Sequence, residues 1–386
     1  MLYNEYGISM LGFGLMRLPT LENGQIDMDE TARIIDYAIE NGVNYFDTAH
    51  PYHNGTSEFV VRELLKRHPR DKVFIADKYP GHQLFKEHHP EQIFEEQLEK
   101  CGVDYFDYYL LHNVNDESVH VYEDPRWNLI DYFVEQKRLG RIKHLGFSNH
   151  SSPETLYKFL KDHQGTFDFC QIQYNYMDEE LQDGALKYQY LEEFGVPIWV
   201  MEPVRGGKLA EPNEQLRALR PDESEAAWAF RWLMRKPQVK VILSGMSNYD
   251  QVVDNIKTFT TDKPLTDKEM ELLSAIAKEK RNFIPCTGCR YCVSHCPQGL
   301  NIPKLLQFYN EGKYSASLTL GMALEFKPEE TLPSACLGCG SCEQICPQQI
   351  KISECMSELC DILNGIPKWA DLCEQRAKEA ELLRNK

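Results

Sequence analysis

Eight short apolar segments, most followed by an amphipathic stretch, occupy about the first 270 residues of this chain. They lie at residues 10–16, 45–49, 73–78, 107–112, 142–148, 169–174, 197–203 and 239–245. Most are nearly continuous apolar runs, as expected for strands that are covered on both faces. The stretches between them place apolar residues at helical spacing. Eight strand–helix units in this length are typical of a closed (β/α)8 barrel, whereas the alternative, a doubly wound open sheet, usually has fewer strands.

The alternation ends with residues 267–280, a charged segment that is predicted to be helical. Cysteine-rich sequence follows it. We therefore predict two domains, a barrel at 1–280 and a small domain at 281–386, with the boundary near Arg281. Residues 373–386 are predicted to form a polar terminal helix, and no internal repeat is evident beyond the cysteine motif described below.

The 386-residue chain carries a formal net charge of −17. This charge argues against a nucleic-acid partner, because binding to phosphates requires a basic surface. The N-terminal sequence has neither the basic segment nor the apolar core of a signal peptide. The longest apolar runs are too short to span a bilayer. We expect a cytoplasmic protein that binds neither nucleic acid nor membranes.

Eight of the thirteen cysteines form two copies of the spacing C-x2-C-x2-C-x3-C-P. The first copy is Cys286, Cys289, Cys292 and Cys296, and the second is Cys336, Cys339, Cys342 and Cys346. This is the bacterial ferredoxin spacing for 4Fe–4S clusters, and soft thiolates suit iron–sulfur cores. Zinc is the alternative, but zinc ribbons separate their C-x2-C pairs by about 15–20 residues. The spacing favours two 4Fe–4S clusters.

In the bacterial run, the fourth cysteine ligates the other cluster. We expect cluster 1 to be held by Cys286, Cys289, Cys292 and Cys346, and cluster 2 by Cys336, Cys339, Cys342 and Cys296. The 39 residues between the two runs have helical character, so this domain resembles the α-helical ferredoxin modules. Buried, inert thiols are expected at the remaining cysteines, which are Cys101, Cys170, Cys355, Cys360 and Cys373.

Four side chains suited to one reaction stand at the ends of three consecutive predicted strands. Asp47, Lys78 and His112 end strands two, three and four, and Tyr52 follows in the loop after Asp47. Active sites of such barrels lie at the C-terminal ends of the strands. Singly, each residue has a structural explanation, such as an ion pair, a loop anchor or a satisfied core histidine. Together they favour a catalytic group.

The reaction that these residues suit is carbonyl reduction. Hydride attack on a carbonyl builds negative charge on its oxygen, which requires a proton donor beside it. A free tyrosine has a pKa of about 10, and we expect the Lys78 ammonium to lower the pKa of Tyr52. Asp47 would keep Lys78 charged and fixed, and His112 would orient the substrate oxygen.

The motifs around these residues resemble those of the aldo-keto reductase superfamily across roughly residues 5–275. They are LGFGLMRLP, FDTAHPYHNG, IADKYP, YYLLH, LGFSN, QIQYN, MEPVRGGKL and ILSGMSNYDQVVDN. The resemblance implies the (β/α)8 fold, a small-molecule carbonyl substrate, and NADP or NAD as cofactor, with NADP as the first choice. With its cysteine runs, the chain resembles the subfamily that carries a C-terminal two-cluster ferredoxin domain.

The same resemblance implies the residues that contact the cofactor. They are Arg17 in the first motif, Ser148, Asn149 and Gln171 at the carboxamide, Met201 at the nicotinamide, Gly206, Gly207 and Leu209 at the pyrophosphate, and Gly245, Ser247, Gln251 and Asn255 at the adenosine end. Two positions depart from the family pattern. Met201 replaces an aromatic ring and stacks less rigidly, and Gln251 replaces an arginine that would clamp a 2′-phosphate.

Two other functions stay open at the level of sequence. An electron-transfer oxidoreductase would hold FMN in the barrel groove and exchange electrons with ferredoxin or another carrier, as the clusters and the missing aromatic ring suggest. A non-catalytic redox sensor would use the barrel as a scaffold, although the intact tetrad argues against this. The substrate itself depends on loops 113–126 and 210–223, whose sequences do not define a pocket shape.

Overall fold

In a computed structural model of the protein, residues 1–83, 87–281, 284, 286 and 288–384 are described. Within these residues, eight parallel strands form a closed barrel in chain order. They are β1 Leu11–Gly14, β2 Tyr45–Asp47, β3 Phe74–Tyr79, β4 Phe106–Val114, β5 Ile142–Asn149, β6 Phe169–Gln173, β7 Ile198–Met201 and β8 Val239–Ser244. The first and last strands pair in the register Leu11↔Ile242, which closes the barrel. The predicted (β/α)8 fold is confirmed.

Helices connect the strands and cover the barrel. They are α1 Met28–Glu40, α2 Ser57–Leu65, α3 Pro90–Cys101, α4 Val119–Tyr122, α5 Leu129–Arg138, α6 Pro153–Asp162, α7 Asp178–Leu181, α8 Gly184–Glu193, α9 Glu214–Leu219, α10 Glu225–Met234, α11 Tyr249–Thr260 and α12 Asp267–Arg281. Their ends follow local chemistry. Helix α1 begins after Asp27, whose side chain accepts a hydrogen bond from the Glu30 N–H, and its C-cap is Asn41, followed by Gly42 with φ of 93°.

Aromatic side chains fill part of the barrel interior. Tyr45, Tyr108, Phe169 and Trp199 belong to one buried cluster there. The ring centroids of Phe169 and Trp199 are 4.6 Å apart, and those of Tyr108 and Phe169 are 5.4 Å apart. The barrel is therefore a packed core rather than a pore, and it supports the side chains at the C-terminal ends of the strands.

The chain separates into two compact units, Met1–Met270 together with residues from Glu379 onward, and Glu271–Lys378. The division lies within helix α12, N-terminal to the boundary near Arg281 that the sequence suggests. The remaining helices are α13 Tyr291–Ser294, α14 Ile302–Tyr314, α15 Leu318–Glu325, α16 Ser341–Gln344, α17 Ile352–Asn364 and α18 Trp369–Arg384. The predicted helical character between the cysteine runs is confirmed, and the terminal helix reaches Arg384, with residues 385–386 outside the described residues.

An internal repeat organises the second unit. Helices α13 and α14 begin at Tyr291 and Ile302, and α16 and α17 begin at Ser341 and Ile352, so both pairs are offset by 50 residues. Helices α14 and α17 are both 13 residues long. The expectation of no repeat beyond the cysteine motif was wrong, because the copies share backbone geometry and apolar positions more than residue types.

Cysteines outside the two runs differ in burial. Cys101, Cys170 and Cys355 are buried, as expected, whereas Cys360 and Cys373 are half-buried. Burial raises the pKa of the Cys101 and Cys170 thiols well above the usual range, which keeps them protonated and unreactive. In the part of the chain that is described, every helix falls short of the length and apolarity needed to cross a membrane.

Replacing Gly146 in β5 with alanine should destabilise the barrel. A Cβ at this position would lie 2.5–2.7 Å from ring atoms of Phe169, and that ring is fixed by its aromatic neighbours. We expect a loss of about 1–3 kcal/mol in the free energy of unfolding, measured by denaturation with tryptophan fluorescence. Gly14→Ala in β1 is the control, because its Cβ would meet its nearest atom at 3.5 Å. Equal losses in both variants would contradict this account.

Candidate functional site

A buried ion pair joins the ends of strands β2 and β3. The Lys78 Nζ donates to Asp47 Oδ1 at 2.5 Å and to the Thr48 carbonyl oxygen at 2.7 Å. Asp47 pairs with Ala76 across the two strands, so Lys78, two residues further along β3, lies on the same face as Ala76. The Lys78 side chain is fully buried. Each charge depends on the other, since an unpaired charge at this depth would be strongly destabilising.

Tyr52 completes this group from the short turn after β2. Its hydroxyl oxygen accepts a hydrogen bond from the Lys78 Nζ at 3.3 Å. Burial raises the pKa of Tyr52, and the Lys78 ammonium only partly opposes this effect, so the pKa lies above its usual value of 10.0. Lys78 thus lowers the pKa of Tyr52 as expected, but the net shift is upward because loss of solvent outweighs the nearby charge.

Lys78 stays charged despite its burial. Burial by itself lowers the pKa of the ammonium, but the charges of Asp47 and the Tyr52 oxygen raise it, and the net shift is upward. The two oxygens of Asp47 have separate partners. Oδ1 accepts from Lys78, and Oδ2 accepts from the Gln171 amide at 3.1 Å. Gln171, predicted to contact a cofactor, thus also fixes the carboxylate.

His112 lies beside Tyr52, two residues before the end of β4 rather than at the strand end that the sequence indicated. The two rings meet edge to face with centroids 5.8 Å apart. The Tyr122 hydroxyl donates to the His112 carbonyl oxygen at 2.5 Å, which holds this part of the strand. The structure therefore brings together all four residues of the predicted tetrad.

His82, which sequence reasoning did not single out, packs against the same group. Its ring lies edge-on to that of His112, with centroids 4.4 Å apart, and the residue is 6% exposed. It sits in the loop after β3, four residues beyond Lys78. A histidine at that distance from a strand end, in a loop without regular periodicity, carries no local signal of this contact.

At the end of β5, one buried polar atom remains for a ligand. Ser148 Oγ accepts from the Asn113 N–H at 2.7 Å. The Asn149 amide donates to the Val114 carbonyl oxygen and to Ser151 Oγ, while its own buried Oδ1 has no hydrogen-bond partner among the described residues. A buried acceptor of this kind fits an amide N–H donor, such as that of a nicotinamide carboxamide.

The predicted pyrophosphate loop has the backbone freedom that close approach of a phosphate requires. Gly206 and Gly207 have φ values of 63° and 97°, which favour glycine. A Cβ on Gly207 would meet no atom within 4 Å, so this backbone faces open space. Arg17 lies beside the loop and forms an ion pair with Glu202 at 2.9 Å. These residues fit a dinucleotide.

The predicted adenosine end is tied to Arg17. Ser247 Oγ donates to the Arg17 carbonyl oxygen at 2.7 Å, and the Ser247 N–H donates to Gln251 Oε1 at 2.8 Å. A Cβ on Gly245 would lie 3.1 Å from the Arg17 side chain. Asn255 is buried and donates to Ser244 Oγ. Leu209 is also buried and Met201, the last residue of β7, is half-buried.

Two cavities in the second unit are each bordered by four thiols. One is lined by Cys286, Cys289, Cys292 and Cys346, and the other by Cys336, Cys339, Cys342 and Cys296. The fourth cysteine of each run thus lies with the first three of the other run. No three cysteine, histidine or carboxylate side chains in the described ranges converge on a point where a single ion would sit. The thiols surround a space, and this donor set fits an iron–sulfur core.

Main-chain geometry shapes both thiol loops. Arg290 and Gly340 occupy corresponding positions with φ values of 64° and 72°. Burial raises the pKa of the Cys342 thiol to about 11, whereas hydrogen bonds with the main chain and side chain of Ser341 lower the pKa of exposed Cys339. The thiols of one set thus differ widely in their surroundings.

A sequence model of the aldo/keto reductase family matches residues 10–227 and 214–278. The chain belongs to the aldo/keto reductase family. A model of the 4Fe-4S dicluster domain matches residues 285–350. The protein is therefore an aldo/keto reductase-type oxidoreductase with a 4Fe–4S ferredoxin-like domain.

Relatives of this aldo/keto reductase include the NADH-specific methylglyoxal reductase of Escherichia coli (strain K12). It is 24% identical over 303 residues, which cover 66% of this chain and 90% of the relative. A solved aldo-keto reductase from Bacillus halodurans in its holo form is 26% identical with a TM-score of 0.57, over 70% of this chain and 92% of the other. A Klebsiella pneumoniae aldo/keto reductase in complex with NADP and acetate shares the fold at 19% identity and a TM-score of 0.56, over 70% and 92% of the two chains.

Proposed function

We propose that this protein reduces a carbonyl group of a small molecule with hydride from NAD(P)H, and that Tyr52 is the general acid. One observation carries the proposal. The Lys78 Nζ contacts both Asp47 and the Tyr52 hydroxyl at the C-terminal ends of the barrel strands, beside His112. Active sites of (β/α)8 enzymes occupy this face of the barrel.

When bound, a nicotinamide supplies hydride to the carbonyl carbon. The residues of the chain handle the charge that develops on the carbonyl oxygen. Tyr52 Oη donates its proton to that oxygen, and the Lys78 ammonium stabilises the phenolate that remains. Asp47 keeps the ammonium in place, and His112 orients the substrate oxygen. Because the group is buried, these charges act in a medium of low dielectric constant, where their effect is larger than in water.

The residues that the family motifs imply would hold a nicotinamide cofactor. The Asn149 Oδ1 would accept from the carboxamide, and the Gly206–Gly207 backbone would allow close approach of the pyrophosphate. Gln251 offers no charge to a 2′-phosphate, so discrimination between NADP and NAD is modest. The Escherichia coli relative is an NADH-specific reductase, so the use of NADH occurs among the relatives of this chain.

Two 4Fe–4S clusters belong to the proposal, with the cross-ligation expected from the bacterial run. The two cavities and the dicluster match support it. A nicotinamide gives up two electrons as one hydride, whereas a cluster accepts one electron at a time. The clusters therefore serve a one-electron partner, and carbonyl reduction proceeds without them. An FMN in the barrel groove, the alternative, would join the two processes.

Tyr52→Phe should abolish carbonyl reduction while it leaves nicotinamide binding intact, because only the transferable proton is removed. We expect kcat to fall by about 10²–10⁴-fold, measured with NADPH and a panel of aldehydes, and an unchanged cofactor Kd by fluorescence. Tyr157→Phe in helix α6 is the control and should keep full activity. Undiminished turnover in Tyr52→Phe would refute the role of Tyr52.

Gln251→Arg should strengthen NADP binding through a charge-assisted contact with the 2′-phosphate. We expect about 1–2 kcal/mol, or roughly 5–30-fold in Kd, measured by calorimetry with NADP and NAD. The substitution also removes the Ser247 N–H bond to Gln251. Gln251→Ala controls for that loss, which should affect both cofactors alike. If the wild-type protein bound NAD several orders of magnitude more weakly than NADP, the assignment of Gln251 to the 2′-phosphate position would be contradicted.

Cys346→Ser should perturb the cluster of the first run, because the Cys346 thiol borders that cavity. The electron paramagnetic resonance spectrum and iron content of the Cys346→Ser variant should resemble those of Cys289→Ser rather than those of Cys339→Ser. Cys360→Ser, outside both sets, should leave both clusters unchanged. A Cys346→Ser spectrum that matches Cys339→Ser would show ligation within each run instead.

A further inference from the structure

The two repeats of the second unit share their backbone but differ in charge. With the offset of 50 residues, Arg290 corresponds to Gly340 and Lys304 corresponds to Glu354. From Cys286 to Lys304 the chain has two cations, Arg290 and Lys304, and no Asp or Glu. The corresponding stretch from Cys336 to Glu354 has two acids, Glu343 and Glu354, and one lysine. The fold is alike in the two copies and so does not require this difference.

Of the two cations, Arg290 lies at the edge of the thiol cavity of the first repeat, whereas Lys304 is half-buried and donates to Gln307 Oε1 at 2.9 Å. Arg290 is exposed and borders the cavity, as does Pro303, the neighbour of Lys304. Cys289, one residue before Arg290, is exposed at the surface. A cluster held here would therefore have positive charge close to its most accessible ligand.

Arg290 also occupies a backbone conformation that does not favour it. Its φ is 64°, in the left-handed region, where a Cβ is costly. The second repeat uses Gly340 at the same point with φ of 72°, the residue that tolerates this conformation without penalty. Strained non-glycine positions of this kind cluster at functional sites. The first repeat thus keeps an arginine where the fold alone favours glycine.

Two further exposed side chains extend this region. Tyr291 is 57% exposed. His295 is exposed, and its Nδ1 lies 3.0 Å from the Tyr291 carbonyl oxygen. Tyrosine and arginine are the residues most enriched in protein interfaces. We name Arg290, Tyr291, His295 and Lys304 together the first-repeat surface.

We propose that the first-repeat surface binds an acidic one-electron carrier protein, which exchanges electrons with the cluster of the first run. The proposal rests on the two clusters of the proposed function. In each exchange the reduced carrier loses one electron and the cluster gains one, and no bond forms or breaks. Opposite charge speeds the encounter of the two proteins and sets their orientation. The second repeat, with its acids, disfavours the same carrier.

To test this proposal, two residues of the first repeat are replaced with their counterparts in the second repeat. Arg290→Gly with Lys304→Glu removes the positive charge and introduces only residues that the second repeat already accommodates. Lys351→Asn, which places the residue of Asn301 in the second repeat, is the matched control. The probe is a plant-type ferredoxin of acidic net charge, reduced with dithionite. Anaerobic stopped-flow absorbance measures the second-order rate constant of cluster reduction over a range of ionic strength.

We expect the rate constant of the wild type to fall steeply as salt rises. At low salt the double variant should react at least tenfold more slowly, within the range of about 10–10³-fold for electrostatic steering, and should lose most of its salt dependence. Lys351→Asn should match the wild type. The proposal would be overturned if the double variant reacted as fast as the wild type. It would also be overturned if Lys351→Asn lowered the rate constant as much as the double variant does.

Three further measurements distinguish the possible causes of a slow reaction, which are loss of a cluster, loss of docking and formation of a dimer. Iron and sulfide analysis reports whether both clusters are present, and a wild type without them would refute the cluster proposal itself. Co-sedimentation with the oxidised carrier tests docking independently of electron transfer, and only the double variant should lose it. Sedimentation of the protein alone tests whether a second copy of the chain occupies the first-repeat surface instead. A wild-type dimer that the double variant dissociates would assign the surface to a second copy of the chain and overturn the carrier proposal.

Discussion

The charge of Lys78 inside the barrel is the constraint on which the rest of the site depends. An ammonium at this depth persists only because Asp47 and the Thr48 carbonyl oxygen accept from it. The parallel register of β2 and β3 sets that contact, and Gln171 from β6 occupies the second carboxylate oxygen. Residues from β2, β3 and β6 therefore hold one charge, and the same ammonium donates to the Tyr52 hydroxyl.

The strands of the barrel can be predicted from the sequence because each one is encoded by a short apolar run of its own. Runs such as residues 107–112 and 142–148 must be covered on both faces, and that requirement alone determines the strand positions to within a few residues. Residues at strand ends share one face of the barrel, so Asp47, Lys78 and His112 can be grouped without coordinates. The cysteine spacing is equally local, since one short loop supplies three of the four thiols.

The features that the sequence missed depend on contacts between distant segments. His82, in the loop after β3, meets His112 in β4, and Gln171 meets Asp47 across the barrel. The pKa of Tyr52 depends on how much water reaches its hydroxyl, which no motif records. The repeat of the second unit was also hidden, because positions such as Arg290 and Gly340 share a backbone angle while their residue types differ.

The raised pKa of Tyr52 bears on the direction of the reaction. Reduction requires the phenol in its protonated form, and burial keeps it so at neutral pH and beyond. Oxidation of an alcohol would require the opposite, a phenolate ready to accept the hydroxyl proton, and burial disfavours that species. Because a catalyst leaves the equilibrium unchanged, the consequence is kinetic: under the proposed role of Tyr52, turnover in the direction of reduction proceeds at neutral pH, whereas turnover of alcohols becomes faster as the pH rises.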